Sequence, residues 1–215
     1  MRSRLDEDMA LLNKELIQMG ALCEEAIALA SKALAGEREL AKQVSVLENE
    51  TDQMERDIET RCLKVLLRQQ PVARDLRQIS AALKMITDLE RIGDQADDIA
   101  EIILSLDNRN WLDTDPIRRM AEMATRMVTQ SVDAYVRRDL ELAKEVEKSD
   151  DQVDSAFDEV KRILIELLSK APSQGEYALD LLMIAKYFER IGDHAVNIAQ
   201  WVMFSITGTH NEVGI

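Results

Sequence analysis

Apolar residues recur along this chain with the step of a helix face. Leu89, Ile92, Ala96, Ile99 and Ile103 advance by 3, 4, 3 and 4 positions, and Phe188, Ile191, Ala195, Ile198 and Val202 do the same. A stripe with this spacing is the inward seam of a helix packed nearly parallel to its neighbours. Turn-forming residues interrupt the helical pattern at Gly36, at Gln70-Pro71, between Asp107 and Pro116, and from Pro172 to Gly175. The interruptions predict about six helices, roughly 4–35, 37–69, 72–106, 116–137, 139–170 and 174–207. Most are near 30 residues, longer than ordinary globular helices, which points to bundle packing. Gly36 stands where a C-terminal cap belongs, because glycine enters the left-handed conformation without strain. Thr114-Asp115-Pro116 reads as a helix start, with Asp115 the expected N-cap and Pro116 in the first turn. No alternating β-branched run bounded by turn residues predicts a strand.

The two stripes belong to a duplication. Glu90-Arg-Ile-Gly-Asp94-Gln-Ala-Asp-Asp-Ile-Ala100 returns 99 residues later as Glu189-Arg-Ile-Gly-Asp193-His-Ala-Val-Asn-Ile-Ala199, identical at eight of eleven positions. Leu40-Ala-Lys-Gln-Val44 returns as Leu142-Ala-Lys-Glu-Val146, an offset of 102. The second and third helices of each half therefore correspond. The fold class expected is all-α, two tandem three-helix bundles, with domains at 1–110 and 111–215. Gly93 and Gly192 fall mid-helix, at a cost of ~1 kcal/mol each relative to alanine, which suggests a close neighbouring helix.

Composition narrows the function. Seven Gly, three Pro and 4% aromatic residues among 215 are the palette of long helices. A formal net charge of −14 repels phosphodiesters and anionic lipid, so nucleic acid and direct membrane insertion are poor candidates as partners. No segment has the ~18 apolar residues of a membrane span. Cys23 and Cys62 lack metal or redox spacing and read as buried reduced thiols, which suits a cytoplasmic protein. The ten Met and the pair Trp111 and Trp201 read as core and interface. Met-rich faces and exposed helix edges are compatible with a homodimer.

The remaining chemistry lies in carboxylates. Glu90 and Asp94 are i,i+4 neighbours, as are Glu189 and Asp193. The preceding helix of each half supplies another pair, Glu48 with Asp52 and Asp150 with Asp154. One such pair is an ordinary solvated face. Four pairs at matching positions, each repelling by a few tenths of a kcal/mol, suggest a cation that offsets the repulsion. Neighbouring helices sit 8–10 Å apart, so two facing pairs could surround one ion or a small cluster. All-oxygen donors suit Mg²⁺, Ca²⁺ or Mn²⁺ and also accept iron or zinc. Asp98 is a possible additional ligand, and Glu101 extends the same edge. His194 points about 100° away from Asp193 and is not assigned as a ligand. Arg91 and Arg190 are candidate i+3 partners of Asp94 and Asp193. With the apolar seam inward, the acids fall on its flank, so the site is expected in a surface groove.

The duplicated ERIGD, each copy with an upstream E/DxxxD, resembles the PhoU family of bacterial phosphate-signalling regulators over nearly the whole chain. The resemblance implies two three-helix bundles related by a pseudo-twofold axis, and metal ions, singly or clustered, on the E/DxxxD pairs. Glu48, Asp52, Glu90 and Asp94 would serve one site, and Asp150, Asp154, Glu189 and Asp193 the other. The metal would be divalent or trivalent (Mg, Mn, Fe or Zn). It further implies a negative regulator linking the ATPase subunit of the phosphate ABC transporter to the sensor histidine kinase of the phosphate two-component system. Such a protein has no catalytic residues and is cytoplasmic, reaching the inner membrane only through partners. Asn197 replaces Asp98 and Gln200 replaces Glu101 in the second copy, which weakens that site's flank. Two other readings remain open at this point: a metal-dependent phosphoester hydrolase, and a metal-free helical scaffold.

Overall fold

The computed structural model describes residues 2–69, 71–106 and 114–209. Six long helices follow in chain order: α1 (Arg2–Leu34), α2 (Ala41–Gln69), α3 (Ala73–Ser105), α4 (Asp115–Arg137), α5 (Leu140–Lys170) and α6 (Gly175–Thr207). There is no strand among the described residues. Single 3₁₀ turns, Arg38–Leu40 and Pro172–Gln174, precede α2 and α6, where the spacing pattern alone extends those helices.

The ends follow local chemistry. Gly36 adopts φ 122°, and the Gly36 and Glu37 amides donate to the carbonyls of Ala33 and Lys32 at 3.1 and 3.2 Å, closing α1. The start of α4 differs from expectation by one residue. Thr114 is the N-cap, without a side-chain hydrogen bond, and Asp115 and Pro116 both lie in the first turn. Proline costs nothing there, because the first-turn amides have no intrahelical acceptor. Asp139 caps α5 instead, its Oδ1 accepting from the Leu142 amide at 3.0 Å. The polar stretch 107–113, with Trp111, lies outside the described residues.

Within each half the helices pack in a three-membered set, α1 with α2 and α3, and α4 with α5 and α6. The two halves then join through α3 against α6 and α1 against α4, and one hydrophobic core runs across both. Leu89, Ile92, Ala96 and Ile99 on α3 are fully buried, as are Phe188, Ile191, Ala195 and Ile198 on α6. Removing each large apolar side chain from water contributes about 1.5–3 kcal/mol. Gly20 marks the α1–α4 contact, where an added Cβ would stand 3.1 Å from Val132 Cγ2. The methionines of the core (Met19, Met85, Met120, Met127 and Met203) fill space between helices.

Polar ties are few and specific. Tyr135 Oη donates to the Gln78 carbonyl at 3.0 Å, joining α4 to α3 across the halves. Burial lifts the Cys23 and Cys62 thiols to about 12, so both are inert packing groups rather than nucleophiles. Arg61 on α2 grips Glu15 on α1 with both ends of its fork, Nε to Oε2 at 2.5 Å and Nη2 to Oε1 at 2.6 Å. Lysine cannot make that paired contact. Arg61→Lys is expected to cost about 1 kcal/mol, a fall in Tm of roughly 2–4 °C read by circular dichroism. An unchanged Tm would mean that the clasp adds nothing to the packing of α1 on α2.

Candidate metal centre

Two close helix approaches create two grooves. At Gly93 an added Cβ would lie 3.4 Å from Thr51 Cγ2, so α3 meets α2 backbone-first at that level. At Gly192 the nearest atom would be Asp150 Oδ1, also at 3.4 Å, with Val153 Cγ1 at 3.6 Å. The glycines therefore do what their mid-helix cost implies: they let the acidic edges of α2 and α3, and of α5 and α6, face one another. Both grooves lie on the outside of the bundle, beside the apolar seam.

In the first groove Asp52, Glu55 and Glu90 each place a carboxylate oxygen within 4.8 Å of the other two. Glu55 is held there by Thr87, whose Oγ1 donates to Oε1 at 3.3 Å. Burial and then the neighbouring Asp94 raise the Glu90 carboxyl above the usual range. Burial raises Glu55 as well, with Asp52 and Glu59 adding to it against the Thr87 hydrogen bond. Glu48 responds first to burial, then to Asp52, Asp97 and Asp94, so it faces the α3 acids one turn further along. Asp97 accepts a hydrogen bond from Ser45 of α2 at 2.5 Å. Arg91 pairs with Asp94 at 2.9 Å and with Glu90 at 3.4 Å, and Arg56 pairs with Asp52 at 3.1 Å. Their side chains are more than half exposed and reach in from solvent.

In the second groove Asp150 is raised to about 6, chiefly by burial and then by Asp193, Asp154 and Glu189. Its Oδ1 is buried and has no hydrogen-bond partner. Asp193 is raised by burial and by Glu189, with Lys186 pulling the other way. The Glu189 carboxylate forms an ion pair with Lys186. Asp154 and Asp193 are exposed at their outer edges. No three acids of this groove approach as closely as Asp52, Glu55 and Glu90 do, among the described residues.

The residues singled out from the sequence thus gather as two facing sets, with three exceptions. Asp98 turns away from α2 and accepts a hydrogen bond from Tyr187 of α6. Its neighbour Asp97 is the acid that looks across the first groove. Arg190 makes no ion pair with Asp193 among the described residues, unlike Arg91 with Asp94. His194 Nδ1 lies 2.9 Å from Asp88 Oδ1, which also accepts from Asn197 Nδ2 at 3.1 Å. That cluster belongs to the α3–α6 contact rather than to a groove. Glu55 is the acid that helix spacing missed. It lies three residues beyond Asp52, so the run Glu48, Asp52, Glu55 on one face was its only signal.

A lone buried carboxylate oxygen without a donor, and a three-carboxylate cluster, are costly unless a cation joins them. Oxygen donors on two helices, with no thiolate or imidazole among them, fit a hard divalent ion.

Comparison with known proteins agrees with the architecture. The family model described as PhoU domain matches twice, over residues 16–103 and 117–202. A protein of Clostridium acetobutylicum named phosphate-specific transport system accessory protein PhoU homolog is 36% identical over 210 residues, 96% of each chain. A homologue of the same name from Synechocystis is 36% identical over 211 residues, 96% of this chain and 93% of that one. The crystal structure of PhoU from Pseudomonas aeruginosa superposes with a TM-score of 0.90 at 33% identity, covering 95% of this chain and 99% of that chain. The phosphate transport system regulatory protein PhoU from Streptococcus pneumoniae shares the fold, with a TM-score of 0.88 at 24% identity. Matched in both halves and aligned nearly end to end with these relatives, the chain belongs to the PhoU family.

Proposed function

We propose that this protein is a metal-binding negative regulator of phosphate uptake and phosphate-starvation signalling. In this reading it works as an adaptor between the ATPase subunit of the phosphate ABC transporter and the sensor histidine kinase, without turnover of its own. The relatives' name, accessory protein of a phosphate-specific transport system, supports the setting. The observation that carries the metal is the pair of grooves in which acids on adjacent helices face each other. The first site would use Glu48, Asp52, Glu90 and Asp94 with Glu55, and the second Asp150, Asp154, Glu189 and Asp193. A bound cation would supply the positive charge that cancels repulsion and ties α2 to α3 and α5 to α6. The protein's own residues supply the rest: glycine contacts hold the helices close, and the acidic edges stay open for a basic partner surface. No described helix is long and apolar enough to cross a membrane, so contact with the transporter would run through its ATPase subunit.

Elemental analysis of the purified protein beside Asp94→Ala/Asp193→Ala tests the metal. Near-stoichiometric metal in the parent and its loss in the variant are expected. If both remain metal-free after incubation with Mg²⁺, Mn²⁺, Fe²⁺ and Zn²⁺, the grooves are not metal sites. The adaptor role is read separately, by binding of the metal-loaded protein to the cytoplasmic region of the kinase and to the ATPase subunit. Failure to bind either would end that part of the proposal.

A further inference from the structure

The two grooves are copies in sequence, yet one corresponding position has changed its chemistry. On the 102-residue offset Asp52 corresponds to Asp154, and Glu55 to Phe157. On the 99-residue offset Glu90 corresponds to Glu189, and Thr87 to Lys186. The hydrogen-bonded pair Thr87–Glu55 of the first groove is therefore replaced by Lys186–Phe157 in the second. Lys186 Nζ lies 5.5 Å from the centre of the Phe157 ring and also forms the ion pair with Glu189. A second ammonium, Lys161 Nζ, stands 4.9 Å from the same ring centre.

We infer that the two sites have unequal metal capacity, because Lys186, seated on Phe157, fills in the second groove the place that Glu55 gives to a metal ligand in the first. This rests on the metal-binding reading above and assigns a role to residues outside the E/DxxxD pairs. An ion approaching Asp52 and Glu90 meets a third carboxylate, which Thr87 already orients. An ion approaching Asp154 and Glu189 meets a phenyl ring, which donates nothing, and an ammonium that repels it. Glu189 is only 12% exposed, so its pairing with Lys186 is less screened than a surface pair, and the ring contact adds to it. The arginines of the first groove differ in kind. Arg56 and Arg91 have no aromatic seat there, and their exposed side chains can swing into solvent when a cation arrives. The far end of the second groove keeps its capacity, since Asp150 Oδ1 has no partner and Asp193 faces it. One ion between Asp150 and Asp193, with Lys186 serving as the fixed cation at the other end, describes that groove.

Mn²⁺ is the probe, with bound metal counted after equilibrium dialysis and thermal melting used to check folding. Phe157→Glu/Lys186→Thr installs the first groove's pair in the second and is expected to bind about one more Mn²⁺ per chain than the parent. Glu55→Phe/Thr87→Lys makes the reverse exchange and is expected to bind about one fewer. If the parent binds Mn²⁺ and both folded variants keep its count, the inference is overturned while the metal sites stand. If the parent and both variants bind none, the metal reading itself falls, and the inference with it.

Discussion

Stripped of metal by a chelator, the protein should lose stability as the pH rises from about 4 to about 7, and Asp150→Asn should be the more stable chain at the upper end. The folded Asp150 carboxyl titrates at about 6, against an ordinary value of 3.8. Between those values the folded chain binds more protons than the unfolded one. The stabilisation is therefore complete below the ordinary carboxylate range and disappears as the pH rises through about 6. Burial is the main cause, followed by Asp193, Asp154 and Glu189, so the group is strained by the fold itself. The shift corresponds to about 3 kcal/mol at most, and solvent screening in an open groove reduces it to about 1–2 kcal/mol. That is a difference of roughly 2–8 °C in Tm for a chain of this size. Raised carboxyls in the first groove, Glu48, Glu55 and Glu90, add in the same direction. Thermal melts of parent and variant at the two ends of the range, all with chelator, read the effect. A parent whose Tm climbs with pH would show that the grooves are not electrostatically strained. Added Mn²⁺ should reverse the trend, since a cation binds the ionised carboxyls and displaces their protons.

Phe188→Ala should have the largest effect on stability of any single truncation along the duplicated motif. Phe188 is fully buried on the inward seam of α6, and its counterpart in the first half, Leu89, is fully buried on α3. Removing a buried phenyl ring costs about 3–5 kcal/mol, from lost transfer energy and the cavity left behind. Leu89→Ala should cost about 2–5 kcal/mol by the same mechanism. The control is Leu67→Ala, at a residue 84% exposed on α2, which should stay within about 0.5 kcal/mol of the parent. Urea unfolding followed by circular dichroism separates the three. A Phe188→Ala midpoint equal to that of Leu67→Ala would mean that the continuous core is not where the stability resides. Because α3 and α6 pack against each other, both core variants should unfold in one transition rather than half by half.

What was legible in the chain was whatever depends on one helix at a time. The 3-and-4 stepping of apolar residues located the seams, and the i,i+4 acids were placed on their flanks by the same rule. Gly93 and Gly192 announced close contacts that the structure contains at Thr51 and Asp150. What failed was register between helices. Asp97 and Asp98 are adjacent acids turned about 100° apart, and only the positions of α2 and α6 decide which faces the groove. Asp97 meets Ser45, and Asp98 meets Tyr187. Glu55 likewise became visible only when Glu90 and Thr87 of α3 came alongside. The start of α4 was off by one residue because Thr114 and Asp115 are both competent caps, and neither makes the side-chain bond that would distinguish them.

The α3–α6 contact has a consequence for how freely the two copies can diverge. By the repeat offset Asp88 corresponds to Tyr187, and Asp98 to Asn197. One end of the crossing therefore pairs Asp88 with Asn197, and the other pairs Tyr187 with Asp98. In an assembly of two identical half-length chains each residue would have to suit both ends of the dyad, so any change would be imposed twice. Within a single chain the two ends are independent sites, and the halves meet at a tethered effective concentration that dilution cannot lower. Each end can then accept a substitution that the other would reject. A symmetric pair of hands has become a left and a right.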